Sequence, residues 1–308
     1  MAIRPLSKEL QNLAETELNE VPKRINRDLL DLRKWIKKQP HLNVKNEDQF
    51  LLNFLRGCKF SLEKTKQKLE CFYTYRTLAP DFFQNRDPFL PEIQEILQKG
   101  CFWLPFPKAK DPKVPRVLYL SAESLNSLEV NVVNVMKVNF MIIDILMNED
   151  DSFIIAGHQL FHNLKGVSLN HILQITPSFL KKSATCLRDA YPLRPKELHF
   201  INLTNSIETL IKPFFSGKNL QRLKFHSELK ISDLHMNLPK SILPKEFEGE
   251  ADSLQEMLDE WKRKVESYRS WFLSDSVYRS DESKRIGKPK QSNDAFGIEG
   301  SFRKLEID

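Results

Sequence analysis

Apolar positions recur at helical spacing through the first ~85 residues and then give way to an alternation of short apolar runs and longer amphipathic stretches. Asn46 with Gln49 three positions on resembles an N-cap signal, and Leu51, Phe54, Leu55 and Cys58 follow on one face. After Phe60-Ser61 a second helix is predicted to about Leu78, with Leu62, Leu69, Phe72 and Tyr73 inward and Pro80 stopping it. The proline-rich segment 85–115 reads as a short helix plus loops that join two domains. Beyond it, strands are expected at 117–120, 153–161 and 198–203, with helices at 130–147 and 177–188 between them. Strands alternating with helices of this length predict an α/β layer behind an all-helical N-terminal region. The expected division is 1–90 helical, 91–250 α/β, and 251–308 a C-terminal helix with a polar tail. Ser253 and Glu256 form a capping box ahead of that helix, and the chain from Asp275 to Phe296 is expected to be flexible.

One stretch stands apart. Ile207, Leu210, Ile211, Phe214 and Phe215 recur at i, i+3, i+4, i+7 and i+8, a broad apolar face, and Pro213 inside it predicts a kink or hinge. Arg194 and Lys196 precede this face, held extended by Pro192 and Pro195, so both side chains leave the same side. Lys218 and Arg222 follow it at i,i+4 spacing and share a face if that turn is helical. Converging, the two pairs would form a pocket for a multiply phosphorylated head group. An oily helix bracketed by cations suits a protein that holds a greasy molecule and meets an anionic membrane. Burying roughly 400 Å² of such a molecule is worth on the order of 10 kcal/mol.

Composition sharpens this in one respect only. The net charge is +6, and residues 181–230 contain ten Lys/Arg against four Asp/Glu, so that window accounts for all of it. Localised charge implies an anionic partner, for which lipid head groups are preferred here over nucleic acid, or else a solvated face. The excess of Phe (21, against 6 Tyr and 4 Trp) fits an apolar cavity or a large core equally. Cys58, Cys71, Cys101 and Cys186 form no C-x-x-C pair and read as reduced thiols, neither a disulfide framework nor a zinc site. The N-terminus is too charged for a signal peptide, and the run Phe140–Met147, broken by Asp144, is too short to span a bilayer. A cytoplasmic protein with transient, peripheral membrane contact is expected.

Catalytic signatures are missing: there is no G-x-S-x-G, G-x-G-x-x-G, P-loop or H-E-x-x-H, and 9 glycines argue against a phosphate-cradling loop. Ser168 with His171 is the nearest approach to a nucleophile–base pair, without an acid or oxyanion motif. His158 and His162 would suit a metal on a helix, but on a strand they stand ~13 Å apart. No enzyme, cofactor or metal is expected.

Five motifs, taken jointly and in order, carry a resemblance: FLLNFLRGCKFSLEKTKQKLECFYTYRT (50–77), LKGVSLNHILQITPSF (164–179), YPLRPKELHFIN (191–202), IKPFFSGKNLQRL (211–223) and LPKEFEG (243–249). Together with the closing FGIEGSFRKLEID (296–308), they resemble the CRAL-TRIO family, in particular an insect group similar to alpha-tocopherol transfer protein and related to cellular retinaldehyde-binding protein. The resemblance implies an α/β lipid-binding domain with a mixed sheet, a pocket closed by a mobile gate helix at about 203–215, and phosphoinositide binding at Arg194, Lys196, Lys218 and Arg222. It also implies a lipid pocket lined by Met136, Asn139, Phe140, Ile143, His158, Leu160, Leu187, Tyr191, Leu193, Leu198, Ile207, Ile211 and Phe215. The implied function is an intracellular carrier of a tocopherol- or retinoid-like lipid; a phosphoinositide-sensing adaptor with a vestigial pocket is the alternative. Three departures stand out. Histidine occupies position 158, where relatives are usually apolar. The strand end F-D-L-x-G reads His162-Asn163-Leu164-Lys165-Gly166, and L-P-x-E-Y-G-G has Glu248 in place of its first glycine.

Overall fold

Five strands form one mixed sheet in the order β1 to β5: Leu104–Pro105, Arg116–Ser121, His158–Asn163, Pro195–Ile201 and Leu223–His226. The short β1 runs antiparallel to β2, and every other pairing is parallel. The structure, a computed structural model, describes residues 3–125, 130–167, 169–202, 208–209, 212, 218–228 and 230–297.

Before the sheet come α1 (Lys8–Leu18), α2 (Ile25–Ile36), α3 (Asp48–Gly57), α4 (Leu62–Leu78), α5 (Pro80–Phe83) and α6 (Pro91–Lys99). Ser7 caps α1 by accepting from the Leu10 amide, and Asn19 closes it in the left-handed conformation. Its face of Leu10, Ala14 and Leu18 packs on Ile155 as a small cluster separate from the main core. Pro80 both halts α4 and opens α5, because a proline lacks the amide an interior helical position needs but suits a first turn.

Parallel strands require crossovers, and these supply the second layer. α7 (Val132–Glu149) and α8 (Asp151–Ile155) join β2 to β3, while α9 (Leu169–Gln174) and α10 (Pro177–Thr185) join β3 to β4. α10 runs on into a π-turn, Cys186–Ala190, ending just before Pro192. α7 is apolar nearly all round and almost wholly buried, yet it carries Asp144 at its middle. Arg76 of α4 and Arg86 reach that carboxylate at 2.9 and 2.5 Å, and both guanidinium groups also meet Asp275, at 3.3 and 2.8 Å. Tyr191 donates its hydroxyl to Asp144 at 3.0 Å. Burial alone would raise the Asp144 carboxyl, but the two arginines hold it below its ordinary value.

The structure corrects three expectations. The run 153–161 is not one strand: Asp150 caps the Ser152 amide and starts α8, Gly157 (φ +84°) turns the chain, and β3 begins only at His158. A short apolar run does not choose between helix and strand by period, and here the cap decided. Asn46 is not the cap of α3; Glu47 precedes that helix without a side-chain bond, and Asn46 accepts from Arg33 at 2.8 Å. Gln49 is instead drawn inward, to Asn53 and Asp151. The segment after Asp275 is strapped down, with Arg285 on Glu70, Glu282 and Thr74 and Phe296 buried against Tyr75. Its charges found partners on α4 that lie too far away in sequence to be read from spacing.

The altered glycine motif behaves as a strained turn. Glu248 takes the left-handed conformation (φ 53°), and Gly249 is obligatory because a Cβ there would lie 1.9 Å from the Leu243 carbonyl oxygen. Glu248→Gly is therefore expected to raise stability by about 0.5–1 kcal/mol in urea denaturation, and Gly249→Ala to lower it by more than that. Asp144→Ala removes one of the two carboxylates that Arg76 and Arg86 share, leaving two buried guanidinium groups to Asp275 alone, and should cost about 3–5 kcal/mol by the same measurement.

Candidate functional site

Because β3, β4 and β5 are parallel, their N-terminal ends share one edge of the sheet. The His158 amide donates to the Arg194 carbonyl (3.2 Å), and the Leu198 amide donates to the Arg222 carbonyl (2.9 Å). Gly157 makes the first contact close: a Cβ there would sit 2.3 Å from the Arg194 oxygen. Arg194, Lys196 and Arg222 are thus neighbours along the edge, and Lys218 begins the single-turn helix Lys218–Gln221 that leads into β5. That helix ends before Arg222, so the shared helical face expected for Lys218 and Arg222 is not complete; the Lys218 side chain lies outside the described residues.

Arg194 and Lys196 converge on one acceptor. Glu17 of α1 takes a hydrogen bond on Oε2 from the Arg194 guanidinium at 2.7 Å and another on the same atom from the Lys196 ammonium at 3.1 Å. The Arg194 bond, then that of Lys196, holds the Glu17 carboxyl below its ordinary value. Arg194 also donates to the Ile155 carbonyl at the end of α8. Its side chain is only 11% exposed against 36% for Lys196, so it clasps the fold as well as carrying charge. Glu17 was invisible to sequence reasoning, because an acid 177 positions from its partner leaves no periodic signal.

The lining positions implied by the resemblance fall into groups. Met136, Asn139, Phe140 and Ile143 occupy one buried stripe of α7. Phe140 stacks on Tyr191 (centroids 5.3 Å, 19°) and meets Phe83, so this pair packs toward the helical layer. Asn139 accepts from the Trp103 amide at 2.7 Å. Leu160 and Leu198 share a sheet face with His158, His162 and Phe200, by the alternation of the strands and their register. Leu187 and Leu193 are partly buried at either side of the π-turn's end. Ile207, Ile211 and Phe215, and with them most of the expected gate helix, lie outside the described residues, as does Ser168.

The two histidines of β3 differ in one respect. His162 accepts a hydrogen bond on Nε2 from the Trp103 indole at 2.8 Å, which assigns its proton to Nδ1. His158 is 3% exposed, lies 5.1 Å from the Phe153 ring, and its Nδ1 has no partner. Burial, and then the charge of Arg222, push His158 down to about 3, and burial pushes His162 down to about 4. Unfolded imidazoles take up protons below about pH 6.5, whereas these folded rings do so only near 4 and 3. The stabilisation from keeping them neutral is complete above pH 6.5 and is lost as pH falls toward 4, by about 1.4 kcal/mol per ring for each unit. Denaturation midpoints should therefore drop between pH 7 and 5. The drop should be shallower in His158→Leu and in His162→Gln, whose amide still accepts from Trp103; equal slopes in all three would contradict it.

No helix among the described residues is long and apolar enough to cross a membrane. Residues 98–249 match the family described as CRAL/TRIO domain, and residues 21–93 match one described as Pinta-like, UBA domain. The human alpha-tocopherol transfer protein-like protein is 30% identical over 253 residues, covering 81% of this chain and 72% of its own. Clavesin-1 of Xenopus laevis is 28% identical over 240 residues (76% and 70%), and clavesin-2 of Rattus norvegicus 26% over 251 (79% and 75%). With a helical region leading into a mixed α/β sheet, and relatives aligned across both, the chain belongs to the CRAL-TRIO family of lipid-binding proteins.

Proposed function

We propose that this protein is a carrier that takes up a small hydrophobic lipid beneath the segment 203–215 and exchanges it at membranes bearing phosphoinositides. The reading is non-enzymatic, and the relatives' name, tocopherol transfer protein-like, supports transfer as the activity. The observation that carries the membrane half is the bond pattern of Glu17: a single carboxylate oxygen already accepts from two cations, one just before β4 and one within it. A phosphate monoester offers more charge and more acceptor oxygens than a carboxylate, so it competes for the same donors. Each cation facing an anionic surface contributes about 1 kcal/mol. Arg194, Lys196, Lys218 and Arg222 together supply a preference of roughly a thousandfold over a neutral surface.

Transfer of a fluorescent lipid from neutral donor vesicles to acceptors with or without phosphatidylinositol bisphosphate tests this. Lys196→Ala and Lys218→Ala are expected to lower the rate to the phosphorylated acceptors about fivefold each and to leave neutral acceptors unaffected. Glu17→Gln, which removes the internal competitor, should raise binding to the phosphorylated vesicles. A rate indifferent to the head group in wild type and variants would refute membrane recognition. Absence of transfer to any acceptor would refute the carrier itself.

A further inference from the structure

His158 and His162 lie four residues apart on the same face of β3, but the fold satisfies only one of them. Trp103 donates to His162, while His158 Nδ1, on a side chain 97% buried, meets no donor or acceptor. A buried imidazole nitrogen gives up its hydrogen bonds to water, and a leucine at this position would avoid that loss. Phe153 packs against the ring at 5.1 Å, and the residue's backbone amide is bonded to the Arg194 carbonyl. Around it on this face are apolar side chains, Leu160 and Leu198, each 9% exposed or less. On the carrier reading, an unmatched polar atom among apolar side chains of this face would orient a cargo lying against it.

We infer that His158 is a specificity-determining residue that hydrogen-bonds a hydroxyl group at one end of an otherwise apolar cargo. A neutral imidazole nitrogen is a donor in one tautomer and an acceptor in the other, and a hydroxyl serves either. An ether oxygen serves only the donor tautomer, and a hydrocarbon neither. The inference rests on the carrier reading given above, and it adds polarity and direction to the ligand. The hydroxyl end lies at the edge of the sheet where Arg194, Lys196 and Arg222 gather, so the cargo would be oriented polar end toward the anion-binding edge.

The test offers delipidated full-length protein an equimolar panel of four alcohols: a sterol, a polyprenol, a chromanol and a straight-chain alkanol, each beside its O-methyl ether. Retained ligands are then quantified by mass spectrometry. Wild type is expected to favour the alcohol of whichever pair it retains by about tenfold, the effect of one hydrogen bond with a buried partner. His158→Leu should keep retaining that pair while losing the preference. Equal retention of alcohol and ether by wild type overturns the inference without recourse to any variant, as does a preference that survives in His158→Leu. Retention of no member of the panel by wild type overturns it too, and this outcome alone also counts against the carrier reading.

Discussion

Asp144 interrupts the long apolar helix α7, almost wholly buried, and the structure is organised around neutralising it. The two guanidinium groups that do so come from the end of α4 and from the chain after α5, and the second carboxylate, Asp275, comes from the C-terminal region. Tyr191 closes the shell from the far end of the α10 crossover. Removing a carboxylate from water is expensive, and only multiple, well-directed partners offset it. Four segments distant in sequence must therefore be in register before α7 can bury its flanks. Replacement by apolar residues could match the stability but would not impose that register. The aromatic rings of Phe72, Phe83 and Phe272 under the guanidinium planes add to the constraint by fixing their orientation.

This gives the molecule a rigid centre and a lightly attached edge. α7 is locked by charge at its middle and by buried apolar contact along its length. α1 is held differently. It has its own four-residue cluster, the Arg4–Asp151 ion pair and the bonds of Glu17. Elements joined by few apolar contacts open at lower free energy than the core. Glu17, which meets Arg194 and Lys196, therefore sits on an element with a small apolar cluster of its own, and on the proposed reading that is where a membrane-responsive contact would form.

Element existence was readable from the chain because period and punctuation agreed: Pro80, the Ser253–Glu256 box and the apolar stripe of α7 each left a local mark. The box is present as expected, with Ser253 accepting from the Glu256 amide and the Glu256 side chain from that of Ser253. Misreadings arose where a local signal competed with a distant partner. Asn46 had the right spacing for a cap but was claimed by Arg33, and the Phe153–Ile155 run had strand composition but began with a capped helical turn. At the candidate site, the alternation of Arg194 and Lys196 about Pro195 conveyed that they point the same way. It could not convey that Glu17 meets them, nor that Arg194 spends one donor on Ile155. The His158–His162 pair was legible as two strand residues, but the feature that separates them, Trp103, lies in the loop before β1 and carries no pattern connecting it to β3.

On the proposed reading, strand order explains how head-group binding and cargo exposure come to be linked. The crossover from β4 to β5 runs through the apolar stretch 203–215, and the cations stand at its two ends: Arg194 and Lys196 at the start of β4, Lys218 and Arg222 at the entry to β5. The Leu198–Arg222 backbone bond keeps those two entries side by side. On that reading an anion that engages both pairs bridges the start of β4 and the entry to β5. If two states of the protein present the four donors differently, the anion binds one more tightly and shifts the population by that difference and no more. One that reached only Arg194 and Lys196 would displace Glu17 and dock the protein, but it would have no grip on the β5 end and so no leverage on the crossover. Docking and release are then separable properties of the same edge, with Lys196 governing the first and the β5-side cations governing the second.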